Sequence, residues 1–461
     1  IENIYTKCSR LGVVPHSSNI PNGIKLAIEY ALKQKLIQIV VCTSTLAQGV
    51  NIPIRYLLIT TLRNDREFMK VRNFQNLIGR TARSGIFTEG SIIITDPNIY
   101  DQRRHGQGYY IWKQCSSMLN ANSSEPCGSS ILKLVQDIQV DYDISFSAEK
   151  FVRYYVDHVE KENVIDELMN RLTATFSNKF PEKKSNNIYE ELSLRKSILE
   201  TIESYLFLVI ENTEECDRNA VAENVCKNTL AYSLANDQEK KILESIFEAV
   251  VKKIDHLVGA DVRRYSFSMS GVELSGKIEA WLSSINISTL VMSEKDCLKE
   301  VLGFYKSVYI VGKHQEQFDL LCNLWIEGVL PQTMSELTGI KVFDIDDICN
   351  KKISYELNFL IGNICDMIPN SQGIEFDRLK NMLNVLQKKI KYGVATQTAI
   401  SICETIFYDR ILTTKLTNIL GDDDVSSEKI LEAVAQCKEE IFVCLAQYPA
   451  YFEDRLKFLL Q

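Results

Sequence analysis

Three short apolar runs, Leu36–Cys42, Tyr56–Thr60 and Ser91–Thr95, punctuate the first hundred residues, with helical stretches between them. Each reads as a buried strand. A helix follows Pro21, with Ile24, Ala27, Ile28, Ala31 and Leu32 on one face. Strands that alternate with helices call for a parallel sheet, because parallel neighbours need a crossover between them.

Nothing comparable follows. Asn120–Ser130 reads as a loop or linker and Phe180–Asn187 as a second loop. Leu194–Ile210, Lys240–Leu257, Leu379–Ile390 and Ile430–Leu445 carry apolar residues at helical spacing. No fixed-period repeat argues for a solenoid. The expected organisation is an α/β domain over residues 1–112, a linker over 113–145 and a large, mostly α-helical region over 146–461.

Of the 461 residues, 45% are hydrophobic and 24% charged, which excludes collagen-like and disordered chains. No apolar run approaches the ~18 residues that span a bilayer. The N-terminus, Ile1–Tyr5, has neither a signal-peptide pattern nor an initiator Met, so the expectation is a chain that begins inside a longer protein. The 13 cysteines are scattered, without C-x₂-C or Cys/His metal spacing. That usage fits small buried hydrophobes in a reducing cytoplasm.

The net charge of −8 conceals two unlike parts. Residues 1–112 hold 14 Lys/Arg against 7 Asp/Glu, and the remainder holds 38 against 53. A +7 segment joined to a −15 body suggests that the first part faces a polyanion.

Two motifs lie in that first part. Thr43-Ser44-Thr45-Leu46-Ala47-Gln48-Gly49-Val50-Asn51-Ile52-Pro53 follows the strand ending at Cys42. Small hydroxyl residues at the C-terminal end of such a strand put OH and N–H groups where phosphates bind. Gly49 lets the backbone approach a ligand closely. The second motif is Asn76-Leu77-Ile78-Gly79-Arg80-Thr81-Ala82-Arg83. On a continuous helix, Asn76, Arg80 and Arg83 share one face, presenting an amide and two guanidiniums suited to phosphoryl charge.

In order and spacing the two motifs resemble motifs V and VI of Ski-type DExH helicases of superfamily two, within the C-terminal RecA-like lobe. His16 and Glu29 stand where that family has a His and a Glu, and the resemblance covers about residues 10–96. It implies an N-terminally incomplete second RecA-like lobe, with ATP in the cleft shared with a first lobe. Arg80 and Arg83 are then arginine fingers on the β/γ-phosphates, a role that contributes roughly 10³–10⁵ in rate. Asn76, Gly79, Gly49 and Asn51 lie near the nucleotide, and Thr43, Ser44 and Thr45 near the nucleic-acid backbone. The implied cofactors are ATP and Mg²⁺, with the metal ligands supplied by the first lobe.

The sequence departs from the family in places. Asn76 stands where motif VI has Gln, with Gln75 one residue earlier, and Thr81-Ala82 replaces Ala-Gly. No complete G-x-x-x-x-G-K-[ST] and no DExH box occurs. The nearest miss, Gly271–Lys277, has Ile278 in place of the hydroxyl residue. This chain alone is therefore expected not to hydrolyse ATP.

In the helical body, Leu324–Gly328 resembles the W-x-x-G stretch near Ski-type C-termini. Lys391–Val394 with Tyr408–Arg410 resembles the tails of Hachiman-type bacterial antiphage helicases. That body would be winged-helix or ratchet-like, or bind a partner. Arg263–Phe267, and Lys388, Lys389, Lys391 and Tyr392, are candidate base-stacking and phosphate contacts. His158, His256 and His314 read as structural or surface residues.

The reading is the C-terminal portion of an ATP-dependent helicase or translocase, in antiphage defence. Its partners would be single-stranded or partly duplex nucleic acid, DNA favoured over RNA, a first RecA-like lobe and a nuclease or effector subunit, with no membrane and 3′→5′ movement. The alternative is a non-catalytic scaffold whose acidic helical body grips a protein.

Overall fold

The computed structural model describes residues 4–17, 20–43, 54–64, 67–81, 89–125, 127–141, 144–159, 161, 164–179, 186–213, 217–257, 271–290, 293–309, 314–368, 373–421 and 423–461. Two compact units divide the chain. One comprises residues 1–126, 320–354 and 389–461, and the other residues 127–319 and 355–388.

The first unit opens with helix α1 (Ile4–Arg10), strand β1 (Val13–His16), helix α2 (Asn22–Lys33) and strand β2 (Ile39–Cys42). Strands β1 and β2 pair in parallel, with His16 opposite Cys42. Strand β3 (Tyr56–Ile59) pairs in parallel with β6 (Ser91–Ile94), Leu58 opposite Ile93. Between them lie a two-residue antiparallel pair, β4 (Arg63–Asn64) and β5 (Glu67–Phe68), and helix α3 (Val71–Ile78). Helices α4 (Asn98–Asp101) and α5 (Gly106–Leu119) follow. The strands are parallel with intervening helices, as expected, but among the described residues they form two separate two-stranded sheets rather than one sheet.

The strands are not fully buried: β1 and β3 alternate, while β2 and β6 hold no buried residue. On β3, Leu57 and Ile59 are 8% and 5% exposed, whereas Tyr56 and Leu58 are 57% and 59% exposed. Phe74 and Leu77 of α3, and Cys115 and Met118 of α5, cover the Leu57–Ile59 face. The opposite face of β3 remains open, so period-two burial replaces the expected two-sided burial.

Helix α2 faces two cores. Ile28 and Leu32 pack on Val14 of β1, while Ala27 joins Ile402, Ile406, Phe407, Leu412 and Leu456 of the C-terminal helices. The Tyr30 hydroxyl donates to Asp454, and its ring lies 5.8 Å from that of Tyr451. Ile24, expected on the buried face, is 50% exposed.

Residues 113–145 hold the end of α5, 3₁₀ turns at Ala121–Ser123 and Ser130–Val135, and a hairpin of β7 (Ile138–Asp141) with β8 (Ile144–Phe146). Beyond them, every described regular element is helical. The expected helix over Ile430–Leu445 is two, Ile430–Gln436 and Lys438–Leu445, broken at Cys437 (φ −103°, ψ 25°).

In the second unit, helices Ala148–Asp157, Asn186–Glu211 and Asp237–Leu257 enclose a core containing Phe151, Tyr155, Ile202, Leu206, Ile246 and Val250. Arg195 is 1% exposed and donates to the carbonyls of Lys133 and Gln136, so a guanidinium inside the core ties down the 3₁₀ turn. Lys253 Nζ donates to Glu203 Oε2 at 2.7 Å, both side chains being buried.

Candidate nucleic-acid and nucleotide surfaces around helix α3

A cavity of about 430 Å³ opens at the C-terminal ends of β2 and β3. Thr43 and Cys42 line it from β2, and Leu57 to Thr61 from β3. Arg63 and Phe68 of the short hairpin, with Met69 and Lys70, form another wall, and Asn73 and Leu77 of α3 close it. The carboxyl ends of parallel strands are where α/β sheets bind ligands. Among the described residues the polar contribution comes from hydroxyls, an amide and two cations, with no carboxylate. Such a set suits phosphate oxygens. Burial pushes the Cys42 thiol up, so it stays protonated on the apolar side.

Of the residues expected near a nucleic-acid strand, Thr43 lies on this cavity and is exposed. Ser44 and Thr45 lie outside the described residues, as do Gly49 and Asn51. Thr60, Thr61, Lys70 and Asn73 carry no motif signal and were missed in the sequence. The only hint was the strand ending at Thr60.

His16 and Glu29, chosen on family position, meet in space. His16 Nε2 lies 3.1 Å from Glu29 Oε1, joining the end of β1 to α2 beside the start of the Thr43 motif. His16 Nδ1 is buried with no hydrogen-bond partner among the described residues.

Helix α3 ends at Ile78, earlier than the one-face arrangement of Asn76, Arg80 and Arg83 requires. The Arg80 N–H donates to the Leu77 carbonyl at 3.1 Å, and the Thr81 N–H to Ile78 at 3.0 Å. The Thr81 hydroxyl also donates to Ile78. Gly79 and the β-branched Thr81 are poor helix formers, and a hydroxyl bonding back to the chain favours the turn. Asn76 therefore sits on the helix, exposed, while Arg80 projects from the turn beyond it, half-buried. Arg83 lies outside the described residues. Asn76, Gly79 and Arg80 are not part of the cavity wall, so α3 presents two distinct surfaces.

Gln75 Nε2 donates to the Met118 carbonyl at 2.5 Å, which leaves Asn76 as the outward amide.

Other candidates resolve as structural. Tyr392 is 8% exposed and packs edge-on against Tyr408 at 5.2 Å, so it is not a stacking platform for bases. The Gly271–Lys277 stretch begins a helix whose Val272 N–H is taken by Glu203, and Lys277 pairs with Glu273 at 2.8 Å. A carboxylate thus occupies the place a phosphate would need. His158 stacks on Tyr154 at 4.3 Å. Arg263–Phe267 lies outside the described residues. Among the described residues, no cluster of His, Cys, Asp and Glu could hold a metal ion, and no helix is long and apolar enough to cross a membrane.

No protein-family model matches the chain. It is similar to the Hachiman protein HamB of Bacillus cereus, at 22% identity over 439 residues, which is 90% of this chain and 36% of that protein. It is 35% identical over 83 residues to the human Helicase POLQ-like protein, 18% of this chain and 8% of the relative. It is 30% identical over 87 residues to the ATP-dependent DNA helicase Hel308 of Aeropyrum pernix, 18% of this chain and 12% of the relative. The chain thus spans about a third of HamB and a much smaller share of the helicases. It is by sequence a relative of the superfamily-two helicases, of the Hachiman type.

Proposed function

We propose that this chain is the C-terminal portion of an ATP-dependent nucleic-acid helicase or translocase. Residues 1–112 serve as its second RecA-like lobe, and residues 146–461 as a helical region carried by that lobe. The observation that supports this most is the two-sided character of α3. One side, through Asn73 and Leu77, meets Thr43 at the cavity; the end of the helix presents Asn76, Gly79 and Arg80 elsewhere. A motor needs such an element, touching nucleic acid on one side and nucleotide on the other.

In this reading the nucleic-acid backbone contacts Thr43, Ser44 and Thr45, with Lys70 and Asn73 on the same cavity as Thr43. Arg80 and Arg83 are the arginine fingers, and Asn76, Gly79, Gly49 and Asn51 face the nucleotide. The residues assigned to the nucleotide include no carboxylate, so in this reading the Mg²⁺ ligands come from the first lobe. Bound ATP and Mg²⁺ would supply the phosphoryl group and the charge neutralisation for its transfer. The relatives named as DNA helicases favour DNA as the substrate, and the Hachiman relative favours antiphage defence beside a nuclease or effector subunit.

The test is the full-length protein carrying Arg80→Ala or Arg83→Ala, assayed for ATPase activity stimulated by single-stranded DNA. The expected loss is on the order of 10³-fold for a finger. Wild-type rates in both variants would overturn the reading.

A further inference from the structure

Helix α3 has no cap of its own. Lys70 stands at its N-cap without a side-chain hydrogen bond, and no acidic residue occupies the first turn. The first N–H groups are met from 53 and 54 residues away. Glu125 Oε1 accepts from the Val71 N–H at 2.7 Å and Oε2 from the Arg72 N–H at 3.0 Å. Arg72 Nη2 returns a bond to the Glu125 carbonyl at 2.7 Å, closing a ring of contacts. The Arg72 N–H, foremost among several donors, holds the Glu125 carboxyl below the usual carboxylate range. A carboxylate at a helix N-terminus satisfies orphan donors and meets the positive end of the dipole.

The second hold on α3 is Gln75, bonded to the Met118 carbonyl at the end of α5. Glu125 and Met118 bracket one short stretch, so the end of α5 and the segment after it fix the middle and the start of α3. Neither contact uses Asn76, Gly79 or the cavity residue Asn73.

We infer that Glu125 is a positioning residue for the nucleotide-facing end of α3, setting the helix so that Asn76 and Arg80 meet the phosphates. The inference rests on the proposed role of Arg80. A displacement of about 1 Å at a reacting group can cost on the order of 10²-fold in rate, so a helix held at its first turn governs the arginine just beyond its end.

The experiment uses the full-length protein with Glu125→Ala, the isosteric Glu125→Gln and Arg80→Ala, all in the DNA-stimulated ATPase assay. Glu125→Ala is expected to lower kcat about tenfold with the KM for ATP within twofold of wild type, the pattern of a lost transition-state contact. Glu125→Gln, whose amide oxygen still accepts one N–H, falls between. Amide exchange at Val71 and Arg72 should speed up in Glu125→Ala. A wild-type kcat for both Glu125 variants, with Arg80→Ala impaired, overturns the inference while leaving the proposed function standing. Unchanged exchange at Val71 and Arg72 overturns the cap itself. A wild-type rate for Arg80→Ala removes the role assigned to Arg80 and overturns this inference, whereas the proposed function falls only if Arg83→Ala is wild type as well.

Discussion

The Arg410 guanidinium lies over the Trp325 indole, 4.0 Å from its centroid, and donates to the Trp325 carbonyl at 2.8 Å. The same side chain donates to the Gly393 carbonyl at 2.5 Å, while Trp325 Nε1 donates to the Ile390 carbonyl at 2.8 Å. Three segments remote in sequence thus meet in one polar knot. Burial works against the Arg410 charge, and Cys349 and Asp346 work in its favour. Gly393 has φ +65°, and a Cβ there would fall 2.5 Å from the Trp325 ring. Gly393→Ala is expected to destabilise by roughly 1–3 kcal/mol from backbone strain alone. Arg410→Lys should also destabilise, because an ammonium cannot stack and fork together. Denaturant midpoints measure both; an unchanged midpoint for Gly393→Ala would mean that the knot is not structural.

The knot shows what the sequence carried and what it did not. Leu324–Gly328, Lys391–Val394 and Tyr408–Arg410 stood out as separate weak motifs, and their pairing was invisible because no local pattern encodes an 85-residue hydrogen bond. The parallel strands and α2 were legible because apolar runs and helical periodicity are local. The open face of β3 was not, since burial depends on which helices reach it. Thr43, Asn76 and Arg80 stand in ordered motifs, whereas Lys70, Asn73 and Glu125 come to their places through tertiary approach and leave no spacing to read. The end of α3 at Ile78 has a local cause: Gly79 and Thr81 both disfavour helix.

The buried Lys253–Glu203 pair supports the helical unit at the start of helix Val272–Ser284, where Glu203 also accepts the Val272 N–H. Removing one partner leaves the other charged and buried. Lys253→Met is therefore expected to cost about 3–5 kcal/mol. Urea unfolding gives the difference, and a loss below about 1 kcal/mol would show that water reaches the pair.

Glu200 lies beside that pair, and burial is the main cause that pushes its carboxyl up from 4.5 to about 7. A carboxyl that is harder to ionise when folded opposes folding once ionised. Its proton is retained in the folded chain while the unfolded chain loses it, so stability falls as pH rises from about 4.5 to about 7, then levels off. The full effect is of order 2–3 kcal/mol. Glu200→Gln should remove this slope, gaining stability at pH 8 and matching wild type near pH 4.5. Parallel slopes for the two proteins between pH 5 and 7 would refute the assignment.

Lys70 and Asn73 line the same cavity as Thr43, one charged and one neutral. A lysine on a phosphate displaces a condensed counterion, whereas an amide displaces none. In the full-length protein, Lys70→Ala should weaken single-stranded DNA binding and reduce the slope of log affinity against log salt by about 0.7. Asn73→Ala should weaken binding with the slope unchanged. Fluorescence anisotropy between about 50 and 200 mM salt covers the range in which such slopes are resolved. If Lys70→Ala leaves the slope at its wild-type value, the strand does not run past this cavity, and the nucleic-acid surface must be sought on another face of the lobe.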